Sequence, residues 1–152
     1  MMREKENIVE MNEAIIAGKK ALNSMRAAKE ALNSAGNWGV ADLLGGGFLV
    51  DLVKHSKLDD AGERLEEARC HLELFQCELK DIELPYNFTI QIDDFLTFAD
   101  FFFDGIIADW LVQSKINEAK DELNYAIERV EQMVADLMKW EKQLMLGKEA
   151  EA

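Results

Sequence analysis

Apolar residues recur at helical spacing in three stretches of the chain. In the last, Ile116, Ala119, Leu123, Ala126, Val130, Met133, Leu137, Trp140 and Leu144 alternate steps of three and four without a miss, which marks one face of a helix. Ile127 and Val134 add a further apolar column, and a stripe that wide suits a bundle of three or more helices better than a two-stranded zipper. A second unbroken seam runs through Ala61, Leu65, Ala68, Leu72, Phe75, Leu79 and Ile82. The first seam is weaker: Ile8, Met11, Ile15, Leu22, Met25 and Leu32 fit it, while Gly18 and Lys29 fall on seam positions. The pattern predicts an all-α fold, an elongated antiparallel helical bundle with heptad seams, built from three long helices plus a shorter apolar segment at 38–55. Residues 1–147 are expected to form a single helical-bundle domain and 148–152 a frayed tail.

Local signals place the boundaries. Gly36 offers a left-handed cap, so the first helix should stop near Ser34. Ser56 with Asp59 three residues on reads as a capping box that starts the second helix, and Pro85 should end it. Tyr86 to Ile92 alternates weakly, like an extended connector. Asp93 and Asp94 suit the negative charge preferred at a helix N-terminus, and the third helix should run from there to about Leu146, unbroken or hinged at Gly105.

Two segments depart from a plain coiled coil. The stretch 38–55 contains Gly45-Gly46-Gly47, which would cost a helix about 3 kcal/mol relative to three alanines. A phosphate cradle is one reading, but the Gly-Lys-Ser/Thr ending of a P-loop is missing; a tight helix crossing or chain reversal is favoured. The stretch 93–112 holds Phe95, Phe98, Phe101, Phe102, Phe103, Ile106, Ile107 and Trp110, with Asp93, Thr97, Asp100 and Asp104 forming a single polar stripe. Its expected packing partner is the equally apolar 38–53 segment.

That packing would bring Lys54 or His55 to Asp100 or Asp104, a candidate polar cluster. Carboxylates beside a histidine are able to hold a divalent cation or exchange protons with a substrate. A core ion pair or a solvated stripe is favoured, because no Glu-x-x-His or His-x-x-x-His spacing supports a metal site. Glu67, Cys70, His71, Cys77 and Glu78 make a smaller constellation on the second helix, interrupted by Leu74. Either it is a thiol site, or, as is favoured, a second layer of helices covers Cys70, Leu74 and Cys77. No catalytic, metal-binding or cofactor-binding residue is assigned, and no cofactor is expected. The residues that organise the chain are the seam positions Leu65, Leu72, Leu79, Ile116, Leu123, Val130 and Leu137.

Composition narrows the partners. Among 152 residues, 30 acidic side chains against 17 Lys and Arg give a net charge of −13, which argues against nucleic acid and against anionic lipid surfaces. No apolar run approaches the length of a membrane span, the N-terminus carries no export signal, and Cys70 and Cys77 lie too far apart on one helix to bridge. The expected location is the cytoplasm.

The residues Trp38, Leu43-Leu44-Gly45-Gly46-Gly47, Lys54-His55-Ser56, Asp60-Ala61, Phe75, Glu78-Leu79, Asp81, Phe98-Ala99-Asp100, Phe103-Asp104 and Asp109-Trp110 resemble those of a bacterial family of uncharacterised helical proteins. The resemblance spans about 38–112. It implies a bacterial, intracellular, helical protein and carries no activity or site residue with it.

The leading expectation is therefore a non-enzymatic cytoplasmic protein that binds another protein, or itself as a homo-oligomer, along its helical faces. A membrane-active bundle inserting 38–53 or 95–112 is the alternative, opposed by about 3 kcal/mol for an aspartate such as Asp100 at a bilayer centre. A small carboxylate-metal enzyme resting on the aspartate stripe comes third.

Overall fold

The computed structural model describes residues 2–43, 48–83, 86–107 and 116–151, with side chains described for 5–34, 60–83, 88–102, 105 and 117–147. Four helices make up the fold among the described residues: α1 (Met2–Leu43), α2 (Phe48–Lys80), α3 (Tyr86–Ile107) and α4 (Ile116–Glu151). No strand occurs among the described residues. At 1.5 Å per residue α1 alone is about 63 Å long, so the molecule is a rod-like bundle. α1 is its axis, packing most extensively on α2 and then on α4, while α3 contacts α4 and α2 over much shorter stretches.

Residue pairs fix the directions. Gly18 of α1 lies against Phe75 of α2 and Val134 of α4, and farther along α1 Arg26 reaches Glu131. Near the start of α1, Glu10 lies beside Glu78 and Asp81. Rising numbers on α1 thus meet falling numbers on both neighbours, and both pairs are antiparallel. α3 and α4 are antiparallel too, since Phe88 meets Trp140, Asp94 meets Arg129 and Phe98 meets Tyr125.

One core runs through all four helices. Leu65, Leu72, Leu79, Leu123, Val130 and Leu137 are buried; the side chain of Ile116 is outside the described residues. On α1 an alanine column at Ala14, Ala21 and Ala28 joins Met11, Leu22, Met25 and Leu32 in the core. Gly18 has a packing reason for its seam position. A Cβ there would lie 2.6 Å from Val134 Cγ2 and 3.0 Å from Phe75 Cε1, so only glycine lets α1 pass between those side chains.

Several boundaries differ from those the sequence suggests. α1 does not stop near Ser34 but continues through Gly36 and Gly39 to Leu43. A glycine permits a left-handed cap without requiring one, and inside a helix it costs only about 1 kcal/mol. α2 begins at Phe48, eight positions before the capping-box serine, so 38–55 is divided between two long helices rather than forming a separate segment; 44–47, with the three glycines, lie outside the described residues. α2 ends at Lys80, before Pro85. Two tight bonds close it, Asp81 N–H to the Glu78 carbonyl at 3.2 Å and Ile82 N–H to the Leu79 carbonyl at 3.3 Å.

Tyr86 to Ile92 is helix, not extended connector. As a helix, Phe88, Ile92, Phe95, Ala99 and Phe102 step four, three, four, three and put a fourth seam against the core; Ile92, Phe95, Ala99 and Phe102 are buried and Phe88 packs on their cluster. The expected single long third helix is two helices. α3 passes through Gly105 without a break to Ile107, and 108–115 are outside the described residues. α4 extends to Glu151.

Candidate functional site

The described members of the polar stripe of α3, Asp93, Thr97 and Asp100, are exposed. The Asp93 carbonyl accepts a bond from Thr97 Oγ1 at 3.0 Å. Asp94 pairs with Arg129 at 3.3 Å. Asp100 Oδ1 accepts a hydrogen bond from Gln76 Nε2 at 2.9 Å, and Gln76 is the buried polar side chain of the described core. Lys54, His55 and Asp104 have side chains outside the described residues. The candidate cluster therefore rests on side chains outside the described residues, and of its four members only Asp100 is described, bonded to Gln76.

The described contacts of α3 run to α4 and to the end of α2. Phe95 meets Phe75 edge-on at 5.6 Å and Phe98 stacks toward Phe102 at 5.7 Å. Arg129 of α4 lies 4.5 Å over the Phe98 ring and donates to Tyr125 Oη at 3.3 Å. These contacts put α3 on α4 and on the last turns of α2; the expected partner, 38–53, has its side chains outside the described residues. The short link from Lys80 to Tyr86 explains this, because it returns the chain beside the end of α2.

The outward face of the α1–α2 pair is where apolar side chains meet water. Leu74 is 60% exposed, Val9 54% and Ile16 47%, and Cys70 and Cys77 are exposed free thiols. The expected covering layer over Cys70, Leu74 and Cys77 is therefore absent among the described residues. Between the helices lies a groove of about 270 Å³ lined by Glu13, Ile16, Ala17 and Lys20 of α1 and His71, Leu74 and Glu78 of α2. Spacings of three and four bring each set onto one helical stripe.

The groove is electrically polar along its length. Glu13 and Glu78 stand at one end, Lys20 and His71 at the other. Beyond the acidic end, carboxylate oxygens of Glu10, Glu78 and Asp81 come within 4.8 Å of one another. Lost hydration, and then repulsion from Glu13, Asp81, Glu78 and Glu6, holds the Glu10 carboxyl above its ordinary value. Such oxygens are the ligands magnesium or calcium takes, yet this trio is partly exposed and serves equally as a solvated acidic end. Among the groove residues there is no nucleophile beside a base.

His71 and Glu78 were legible as a constellation on α2. Their partners Glu13, Ile16 and Lys20 carry no local signal, apart from Val9 and Ile16 standing seven apart on the polar side of α1. No described helix is long and apolar enough to cross a membrane. The chain matches no known protein family, no curated protein and no solved structure.

Proposed function

We propose that this chain is a non-enzymatic helical-bundle protein that acts by binding protein, either another chain or a second copy of itself. The observation that carries the reading is the apolar outward face of the α1–α2 pair, where Ile16 and Leu74 flank an open groove. Helix pairs of this kind take a partner helix along the groove between them, with apolar anchors one turn apart. The exposed thiols Cys70 and Cys77 fit a reducing compartment, and the cytoplasm is the location proposed.

Affinity capture with crosslinking in the source cells tests this, comparing wild type with the Ile16→Asp, Leu74→Asp double variant. Both positions are exposed, so helicity by circular dichroism should be retained. Wild type should retain protein partners, its own copies included, that the double variant loses. Identical capture by the two proteins refutes the reading.

A further inference from the structure

We infer that the α1–α2 face binds a second copy of this chain, as an isologous dimer with its two-fold axis running across the helices at the level of Ile16 and Leu74. The inference rests on the protein-binding reading above and names its partner. It is carried by the order of charges around the apolar centre. Glu13 precedes Ile16 by three residues and Lys20 follows it by four; His71 precedes Leu74 by three and Glu78 follows it by four. Because α1 and α2 are antiparallel, both acids fall at one end of the groove and both basic groups at the other.

A two-fold across the helices turns the second copy end for end. The acidic end of each chain then lies on the basic end of the other, Glu13 against Lys20 of the second copy and His71 against Glu78 of the second copy. Ile16 and Leu74 meet their own counterparts at the centre, which removes the exposed apolar groups from water. The other simple choice, a two-fold along the helices, sets Glu13 against Glu78 and Lys20 against His71. That arrangement opposes two carboxylates at one end and leaves no acid facing a base at the other, and it is disfavoured. A face of uniform acidity would instead call for a basic partner; alternation about a centre is the signature of self-complementarity, and two-fold dimers are the commonest closed assembly. Glu67 and Asp81 meet near the two ends in water and limit the affinity without altering the geometry.

Sedimentation equilibrium of the purified chain across a concentration series tests the inference, with circular dichroism as the control for folding. Wild type should show a concentration-dependent dimer, and Leu74→Asp should be monomeric with unchanged helicity. Glu13→Lys and Lys20→Glu should each weaken the dimer by about tenfold or more, since each substitution acts twice in a symmetric interface. The double variant Glu13→Lys, Lys20→Glu should restore it. A wild-type chain that stays monomeric at high concentration overturns the dimer, while capture of a different protein in cells would leave the broader reading standing. Tightening by Glu13→Lys overturns the antiparallel arrangement, because that result belongs to the two-fold along the helices.

Discussion

Along α1, alanine recurs at 14, 21 and 28 and glycine stands at 18, whereas α3 presents phenylalanine at 88, 95, 98 and 102. Both sets face the same core, but they set different distances. Small side chains let the α1 backbone lie close to α2 over most of its length, and the contact is correspondingly long. α3, with its large rings, meets its neighbours over shorter stretches, through aromatic pairs, the Gln76–Asp100 bond and the Arg129 side chain. Stability built from many small contacts is spread along the rod, while stability built from rings is concentrated at a few sites.

The sharpest way to break this comparison is at the side chain both regions share. Phe75 is fully buried, touches the Gly18 crossing and meets Phe95 edge-on. Phe75→Ala should cost about 4 kcal/mol in chemical denaturation, with loss of near-ultraviolet dichroism from the aromatic layer. Next comes the crossing itself. Gly18→Leu should cost about 3 kcal/mol despite its better helix propensity, because the added side chain has no room against Val134 and Phe75. If it proves neutral, the close approach of α1 is not what glycine provides.

Effects on the aromatic side should be smaller. Asp100→Ala leaves the buried Gln76 amide without its acceptor and should cost about 1–2 kcal/mol. Phe98→Leu forfeits the Tyr125 and Arg129 contacts of a half-buried ring, at about 1 kcal/mol. Equal penalties for Gly18→Leu and Phe98→Leu would erase the contrast, and hydrogen exchange offers an independent check, since α3 amides should exchange before those at the centre of α1.

The smallest effect concerns charge at the open end of the α1–α2 groove. Because the Glu10 carboxyl is raised, the folded chain binds more protons than the unfolded one between the ordinary and the raised value. Its contribution is present in acid and is lost as pH rises through that window. Glu10→Gln should therefore melt slightly above wild type at neutral pH, with the difference vanishing in acid.

The fold is legible in the sequence where contacts repeat. The α2 and α4 seams are visible because each buried position recurs with the helical turn. The α3 seam obeys the same rule, but exposed Phe101 and half-buried Phe98 blur it, and the alternation at 86–92 imitates a strand. Cys70 and Cys77 are exposed, against what their residue type suggests, for a related reason. An apolar residue type shows that a face is suited to being covered, not that a helix is there to cover it.

What the sequence determined by itself is the all-helical character of the chain and the faces that turn inward, since propensity and periodicity are properties of neighbours along the chain. Only the tertiary structure decided that α1 lies between α2 and α4, that Asp100 goes to Gln76, and that Glu13 and Lys20 join His71 and Glu78 around one groove. Those pairings join residues far apart in the chain, and they depend on which helix lies against which and at what distance. Side-chain size at the crossings sets that distance, and it takes effect only when the helices meet.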